Sequence, residues 1–254
     1  MPFDSLLEPL VQVARDAGSA ILKVYASDFD VRRKPDRSPV TDADLQAEQI
    51  IVAALSDLTP DIPIVSEEAE SESVTPAVGE LFWLVDPLDG TREFVRRSGE
   101  FTVNIALVQK RRPVLGLIYA PVPGRLYAGS DAGGAYVDSD GQRRRIACRR
   151  PAPEGLAVVT SRSHQDAVSW GALLGGRPVV SHSTAGSSLK FGLVACGEVD
   201  AYPRTGRTWE WDTAAGHAIV TAAGGRVRLA DGSELRYGKP DFANPAFVAL
   251  GLID

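Results

Sequence analysis

Two aspartates three residues apart, Asp86 and Asp89, end an apolar run and enter a Pro-Gly turn: Trp83-Leu84-Val85-Asp86-Pro87-Leu88-Asp89-Gly90-Thr91. Carboxylates at that spacing on a stiff turn can hold a hard cation. Magnesium takes oxygen ligands, keeps several waters and is commonly shared with a substrate phosphate. Gly90-Thr91 then opens what reads as a short helix to about Arg97. The first amides of a helix are unpaired donors and its dipole favours an anion. One turn could thus bind a metal and a phosphoryl group side by side. The same letters also make an ordinary solvent-facing turn, so the reading depends on other carboxylates converging there.

Four are candidates. Glu67 and Glu68 follow a short apolar run, Ile62–Val65, and would sit at a strand end. Asp212 follows Trp209-Glu210-Trp211, and Asp44 lies three residues after Thr41. Taken singly, Asp212 is equally a helix cap and Asp44 equally the distal member of a Thr-x-x-Asp capping box. Glu67 and Glu68 alone are equally surface charges.

The elements that must position these groups follow from periodicity. Leu7, Leu10, Ala14, Ala17 and Ile21 form one stripe of a helix over 5–25, with Ser5 and Glu8 as its capping box. A Pro-punctuated loop or hairpin tip, 34–39, precedes a second helix from Thr41 to about Leu58, which Pro60 stops. Residues 69–80 are acidic, lack any period and read as a mobile loop that could gate the site. Residues 81–85, 101–108, 113–121 and 126–137 read as strands. Two helices thus lie beside a largely antiparallel sheet in an N-terminal domain of residues 1–150. Beyond a basic stretch at 143–153, strands near 156–161, 178–182 and 199–202 alternate with helices near 165–174, 187–196 and 212–223. That is a smaller α/β domain, 151–254.

Composition excludes several classes. The net charge of −6 (27 basic against 33 acidic residues) does not suit a nucleic-acid polymer as partner. Two isolated cysteines give neither a disulfide framework nor a cysteine zinc site. No apolar run reaches the ~20 residues of a membrane span, and the N-terminus lacks secretory features. The expected compartment is the cytoplasm, and the sequence leaves a homodimer open.

The ordered segments Asp36–Asp44, Ser66-Glu67-Glu68, Trp83–Thr91, Gly116–Pro121 and Trp209–Asp212 resemble the lithium-sensitive inositol monophosphatase superfamily. Thr91-Arg92-Glu93-Phe94 and Ala185–Phe191 are similar to its 3′(2′),5′-bisphosphate nucleotidase branch. The resemblance implies an α+β sugar-phosphatase fold, a layered α/β/α/β/α sandwich. It implies a cytoplasmic, lithium-sensitive phosphatase using two or three magnesium ions. Glu67, Asp86 and the Leu88 carbonyl would hold one ion, and Asp86, Asp89 and Asp212 a second. A further ion would sit on Glu67 through waters. Gly90 and Thr91 would offer amides to the scissile phosphate, and Asp44 with Thr91 would orient the attacking water.

The implied reaction is hydrolysis of a small phosphate ester, 3′-phosphoadenosine 5′-phosphate, to AMP and phosphate, linked to sulfate assimilation. Lys190 and Arg204 would meet the second phosphate, with Arg207 as fallback, and Ser187 and His164 would lie near the nucleotide. Trp209 and Trp211 read as packing. The same chemistry on inositol monophosphate or fructose 1,6-bisphosphate is the near alternative, and mixed activity is compatible with it. A silent phosphometabolite-binding protein is the distant alternative.

Overall fold

The computed structural model describes residues 3–35, 38–70, 78–139, 141–162 and 170–253. A 3-10 turn, Phe3–Leu6, leads into helix α1, Leu7–Tyr25. The expected Ser5–Glu8 capping box does not form. Ser5 lies inside the 3-10 turn, Leu6 takes the cap position without a side-chain bond, and Glu8 pairs with Arg143 instead. A two-strand hairpin, β1 (Arg32–Arg33) and β2 (Pro39–Val40), precedes helix α2, Asp42–Leu58. At its start Thr41 Oγ1 accepts from Ala43 N, and Asp44 Oδ2 accepts from Thr41 N.

Strand β3 (Ile64–Ser66) runs into a single helical turn, α3 (Glu67–Glu70). Strand β4 (Leu81–Asp89) carries the Asp-Pro-Leu-Asp turn and is followed by α4, Thr91–Val95. The sheet continues through β5 (Thr102–Gln109), β6 (Arg112–Ala120), β7 (Arg125–Ser130), β8 (Gly134–Ser139) and β9 (Gln142–Ile146). These seven strands lie in sequence order, and only β3–β4 is parallel. Helices α1 and α2 cover one face, burying Leu10, Ala14, Ile21, Ile51 and Leu55 against Trp83, Val85 and Leu107. The α1 stripe read from the sequence is that buried face.

The second sheet is built from β10 (Leu156–Thr160) and β11 (Val179–Thr184), with β12 (Ala201–Arg204) after helix α5 (Leu189–Ala195). After β13 (Thr208–Trp209) comes helix α6, Glu210–Ala222. Then come β14 (Arg226–Leu229), β15 (Ala243–Asn244) and β16 (Phe247–Leu250). Its order is β11-β10-β12-β16-β14, parallel where β10 meets β11 and β12 and antiparallel beyond. Strands β14 and β16 were not expected from the sequence. They are four residues each, too short to show a period among the surrounding Gly, Pro and Asp. Of the expected helix near 165–174, the first half, 165–169, lies outside the described residues. Trp170 and Leu174 pack on the outer face of this sheet, against Val158 and Val248.

Helices α5 and α6 fill the space between the two sheets, giving the α/β/α/β/α layering. The approach of α6 is close. A Cβ on Gly116 of β6 would lie 2.3 Å from the Ala215 carbonyl oxygen, and one on Gly216 would lie 2.2 Å from the Phe191 ring. Only hydrogen at Gly116 lets helix backbone rest on strand backbone, and only hydrogen at Gly216 admits the Phe191 ring of α5.

Candidate active site

The acidic residues meet because of strand register. In the parallel β3–β4 pair, Ser66 is opposite Val85, so the next residues, Glu67 and Asp86, emerge side by side at the same sheet end. Helix α6 arrives from the other side. Asn244 Nδ2 anchors its first turn through the Trp209 carbonyl (2.7 Å) and Thr213 Oγ1 (3.0 Å). Buried Glu210 accepts from the backbone N–H groups of Gly238 (2.6 Å) and Lys239 (2.9 Å). Asp212, in that first turn, accepts from Trp209 N at 2.7 Å. Carboxylate oxygens of Glu67, Asp86 and Asp212 then lie within 4.8 Å of one another. Asp89 stands just outside that compact set, yet its charge raises the pKa of both Asp86 and Asp212.

The set suits a hard divalent cation. Asp86 is 1 % exposed, and its Oδ2 has no hydrogen-bond partner among the described residues, whereas Oδ1 accepts from Leu88 N at 3.0 Å. A buried carboxylate oxygen without a donor is costly unless a cation meets it. Burial raises the Asp86 pKa well above the usual range, and Glu67, Asp89 and Asp212 raise it further. Asp212 is raised by burial and then by Asp89 and Glu67. Such mutual repulsion is what a bound cation cancels. All candidate donors are oxygens, which favours magnesium over softer metals.

The structure adds Lys34, which the sequence reading did not single out. The β1–β2 hairpin folds its Nζ onto Glu67 (2.9 Å) and Glu68 (2.7 Å). Burial works to lower the Lys34 pKa, but Glu67 and Glu68 outweigh it and the net shift is upward. Burial lifts Glu68 to about 7, against the pull of Lys34. Glu68 is therefore a charge partner of Lys34 outside the compact set. Nothing in a Lys-Pro turn distinguishes this lysine in the sequence; only the hairpin's fold-back does.

Asp44 and Thr91 meet at 3.2 Å, with Thr91 Oγ1 donating to Asp44 Oδ1 and also lying 3.3 Å from the Leu88 carbonyl. Asp44 Oδ2 takes both the N–H and the hydroxyl of Thr41, each at 2.8 Å. Asp44 therefore caps α2 with one oxygen and meets Thr91 with the other. Burial raises Asp44 to about 6, the two Thr41 bonds opposing it. Gly90, at φ +91°, caps α4 in the left-handed region, so its amide and that of Thr91 head a five-residue helix.

A cavity of about 170 Å³ opens beside this turn, lined among others by Asp89, Gly90, Ser187, Lys190, Arg204 and Asp212. Lys190 is 3 % exposed; its Nζ donates to the carbonyls of Ala185 (3.1 Å) and Ser187 and lies 5.2 Å from the centre of the Tyr202 ring. Burial lowers its pKa to about 8, against the charge of Asp89. Arg204 donates to Ser161 Oγ (3.0 Å) and the Arg207 carbonyl (3.2 Å). Arg207 turns away over the Trp209 ring, 4.2 Å from its centre, and is not in the lining, so of these two arginines it is Arg204 that reaches the cavity, which Arg92 also lines. Trp209 and Trp211 stack on each other at 5.6 Å. His164 and residues 71–77 of the expected gate lie outside the described residues.

A stability prediction follows from the raised carboxyls. Asp89, lifted by burial to about 6, and Asp44 and Glu68, at about 6 and 7, keep protons in the fold that they would lose when unfolded. Between about pH 4 and pH 7 the folded chain binds more protons, so this contribution is full at the low end and is lost as pH rises. A divalent cation held among these carboxylates would offset what deprotonation removes, and magnesium is the ion to test. Its addition should raise Tm more at pH 8 than at pH 5, by thermal melts in magnesium and in EDTA. Equal shifts at the two pH values would contradict a shared carboxylate cage.

Comparison with known proteins agrees with this geometry. The inositol monophosphatase family model matches residues 3–250. The 3′(2′),5′-bisphosphate nucleotidase CysQ of Salmonella typhimurium is 47 % identical over 247 residues, covering 95 % of this chain and 98 % of that protein. The crystal structure of CysQ from Bacteroides thetaiotaomicron, described as a bacterial member of that family, superposes with a TM-score of 0.83 at 37 % identity, covering 99 % of each chain. An inositol monophosphatase from Anabaena gives 0.76 at 25 % identity, covering 98 % of this chain and 91 % of that one.

Proposed function

We infer the reaction from one premise: the chain belongs to the inositol monophosphatase family. It is a phosphoric monoester hydrolase, and the substrate is 3′-phosphoadenosine 5′-phosphate, cleaved to AMP and phosphate. The supporting observation is near-full-length likeness to bisphosphate nucleotidases, against only 25 % identity to the Anabaena inositol monophosphatase. A buried lysine and an arginine in the cavity beside the acidic turn give a second phosphate its partners.

The resident cofactor in this reading is magnesium, held by Glu67, Asp86, Asp89, the Leu88 carbonyl and Asp212. When bound, it supplies a water of lowered pKa and neutralises charge on the phosphate and leaving oxygens. The chain does the rest. Gly90 and Thr91 present amides at the start of α4 to the scissile phosphate. Asp44 accepts from the Thr91 hydroxyl, which leaves Thr91's lone pairs free to accept from the attacking water and fix its approach. Lys190 contributes a point charge and Arg204 a planar fork to the non-scissile phosphate. Ser187 and His164 border the nucleotide. No side chain forms a covalent intermediate, so inversion at phosphorus is expected. Removal of this nucleotide by-product fits a cytoplasmic role in sulfate assimilation.

The test is kcat/KM for 3′-phosphoadenosine 5′-phosphate, inositol 1-phosphate and fructose 1,6-bisphosphate, with and without magnesium. The nucleotide should lead by roughly tenfold or more, and no substrate should turn over in EDTA. A lead for inositol 1-phosphate would overturn the substrate assignment while leaving the phosphatase chemistry standing.

A further inference from the structure

Behind Asp89 lies a file of buried polar side chains, Thr102, Asn104 and Ser188, bonded to one another. Across the antiparallel β4–β5 pair, Asp89 faces Thr102 and Asp86 faces Asn104, with an irregularity in register between the two. Thr102, Asn104 and Ser188 are 0 %, 1 % and 2 % exposed. Thr102 Oγ1 lies 2.7 Å from Ser188 Oγ and 3.1 Å from Ser187 Oγ. Ser188 Oγ donates to Asn104 Oδ1 at 2.7 Å. Ser188 N donates to Asp89 Oδ2 at 2.6 Å, and Asn104 Nδ2 points to the same oxygen from 3.5 Å.

The protons order this file. A hydroxyl has one proton, and an amide oxygen only accepts. The Ser188 proton is committed to Asn104 Oδ1, so Ser188 Oγ accepts from Thr102 at 2.7 Å, and the one Thr102 proton is shared with Ser187 Oγ at 3.1 Å. With Asn104 Oδ1 engaged, its NH2 group faces Asp89. The reverse orientation would set an amide oxygen against a carboxylate. Among the described residues, every hydrogen bond to Asp89 falls on Oδ2. Oδ1 is therefore the oxygen left for a cation.

The backbone shows the same arrangement. Ser187 sits at φ +41°, a left-handed conformation uncommon outside glycine, directly before the residue whose N–H reaches Asp89. Gly90, also left-handed, lies opposite: a Cβ there would come within 3.3 Å of the Ser187 Cβ.

We propose that Thr102 and Asn104, acting through Ser188, are positioning residues for Asp89. They hold its Oδ2 so that Oδ1 is presented to the cation, and they tie that carboxylate to the segment bearing Lys190. Neither Thr102 nor Asn104 lines the cavity, so neither touches substrate. The proposal rests on Asp89 being a cation ligand, as argued above.

The experiment measures magnesium affinity by isothermal titration calorimetry in the absence of substrate, beside kcat and nucleotide KM at saturating magnesium. The variants are Thr102→Val, Thr102→Ser, Asn104→Leu and Asp89→Asn, each checked by circular dichroism. Thr102→Val and Asn104→Leu should weaken magnesium about 10–100-fold, as loss of a ligand's hydrogen-bond partner does, with KM changed by less than about threefold. Thr102→Ser should restore affinity, which a purely packing role would not do, since it also deletes a methyl group. If Asn104→Leu fails to fold, Asn104→Ser carries the test, because it can still accept from Ser188 but cannot reach Asp89. Wild-type affinity in Asp89→Asn would remove the ligand assignment itself. Loss in Asp89→Asn with affinity retained in Thr102→Val and the Asn104 variant would overturn the proposal alone.

Discussion

Asp86→Asn should lower phosphate release by about 10³-fold or more while making the magnesium-free chain more stable. The two effects have one cause. Asp86 is the buried centre of the acidic set, and Glu67, Asp89 and Asp212 all disfavour its charge. An amide keeps the Oδ1 acceptor that Leu88 N uses and fills the unpartnered position with a donor facing carboxylates. The ion ligand is lost and the repulsion with it. Phosphate release in saturating magnesium, and Tm in EDTA, measure the two arms. Near-normal turnover would show that no essential ion is held there; a lower Tm in EDTA would show that the carboxylate was not under strain.

Thr91→Val should lower kcat about 10²–10³-fold with KM for the nucleotide nearly unchanged. Valine keeps the shape of threonine and the start of α4 but removes the hydroxyl that Asp44 orients at 3.2 Å. Asp44→Asn should act similarly, because an asparagine can direct its amide N–H at the Thr91 oxygen and occupy the lone pair the water needs. The pair works as a unit, so Thr91→Val with Asp44→Asn should lose little more than either alone. Steady-state kinetics on the three variants decide it. Additive losses would place the two residues in separate roles, and a KM effect without a kcat effect would make Thr91 a binding group only.

Much of this site was legible in the chain because its parts sit where secondary structure ends. A strand that stops at Asp-Pro-Leu-Asp-Gly-Thr announces a turn with two carboxylates whatever the fold. Glu67 follows an apolar run for the same reason. What sequence could not supply was register: Ser66 opposite Val85 is what sets Glu67 beside Asp86. The cap and site readings of Asp44 and Asp212 competed on paper, yet the two are compatible, because a carboxylate has two oxygens and each helix start uses one.

The misses have physical reasons too. Thr102 and Asn104 alternate with Val103 and Ile105, so their side chains read as the polar face of a half-buried strand. That face is in fact sealed by Ser187 and Ser188, in the turn that leads into α5. Alternation reports which residues share a face, not whether the face meets water. Lys34 escaped notice because its two partners lie more than thirty residues away and only the hairpin brings it to them. The Ser5–Glu8 box failed because residues 3–6 tighten into a 3-10 turn directly ahead of the helix, which puts Leu6 and not Ser5 at the cap.

The contact between Gly116 and Ala215 bears on which ions the cage accepts. Helix α6 carries Asp212 and already rests on β6 with no atom left to remove between them. That side of the cage is backbed by main chain on main chain, so it can neither sink further nor be packed outward by a neighbouring side chain. Calcium asks for oxygens at about 2.3–2.6 Å and tolerates varied numbers of them, whereas magnesium asks for about 2.0–2.1 Å. With magnesium as the proposed ion, a ligand held on so stiff a mount would favour the smaller cation, and the stiffness comes from a missing methyl group opposite Ala215, one turn of α6 beyond Asp212.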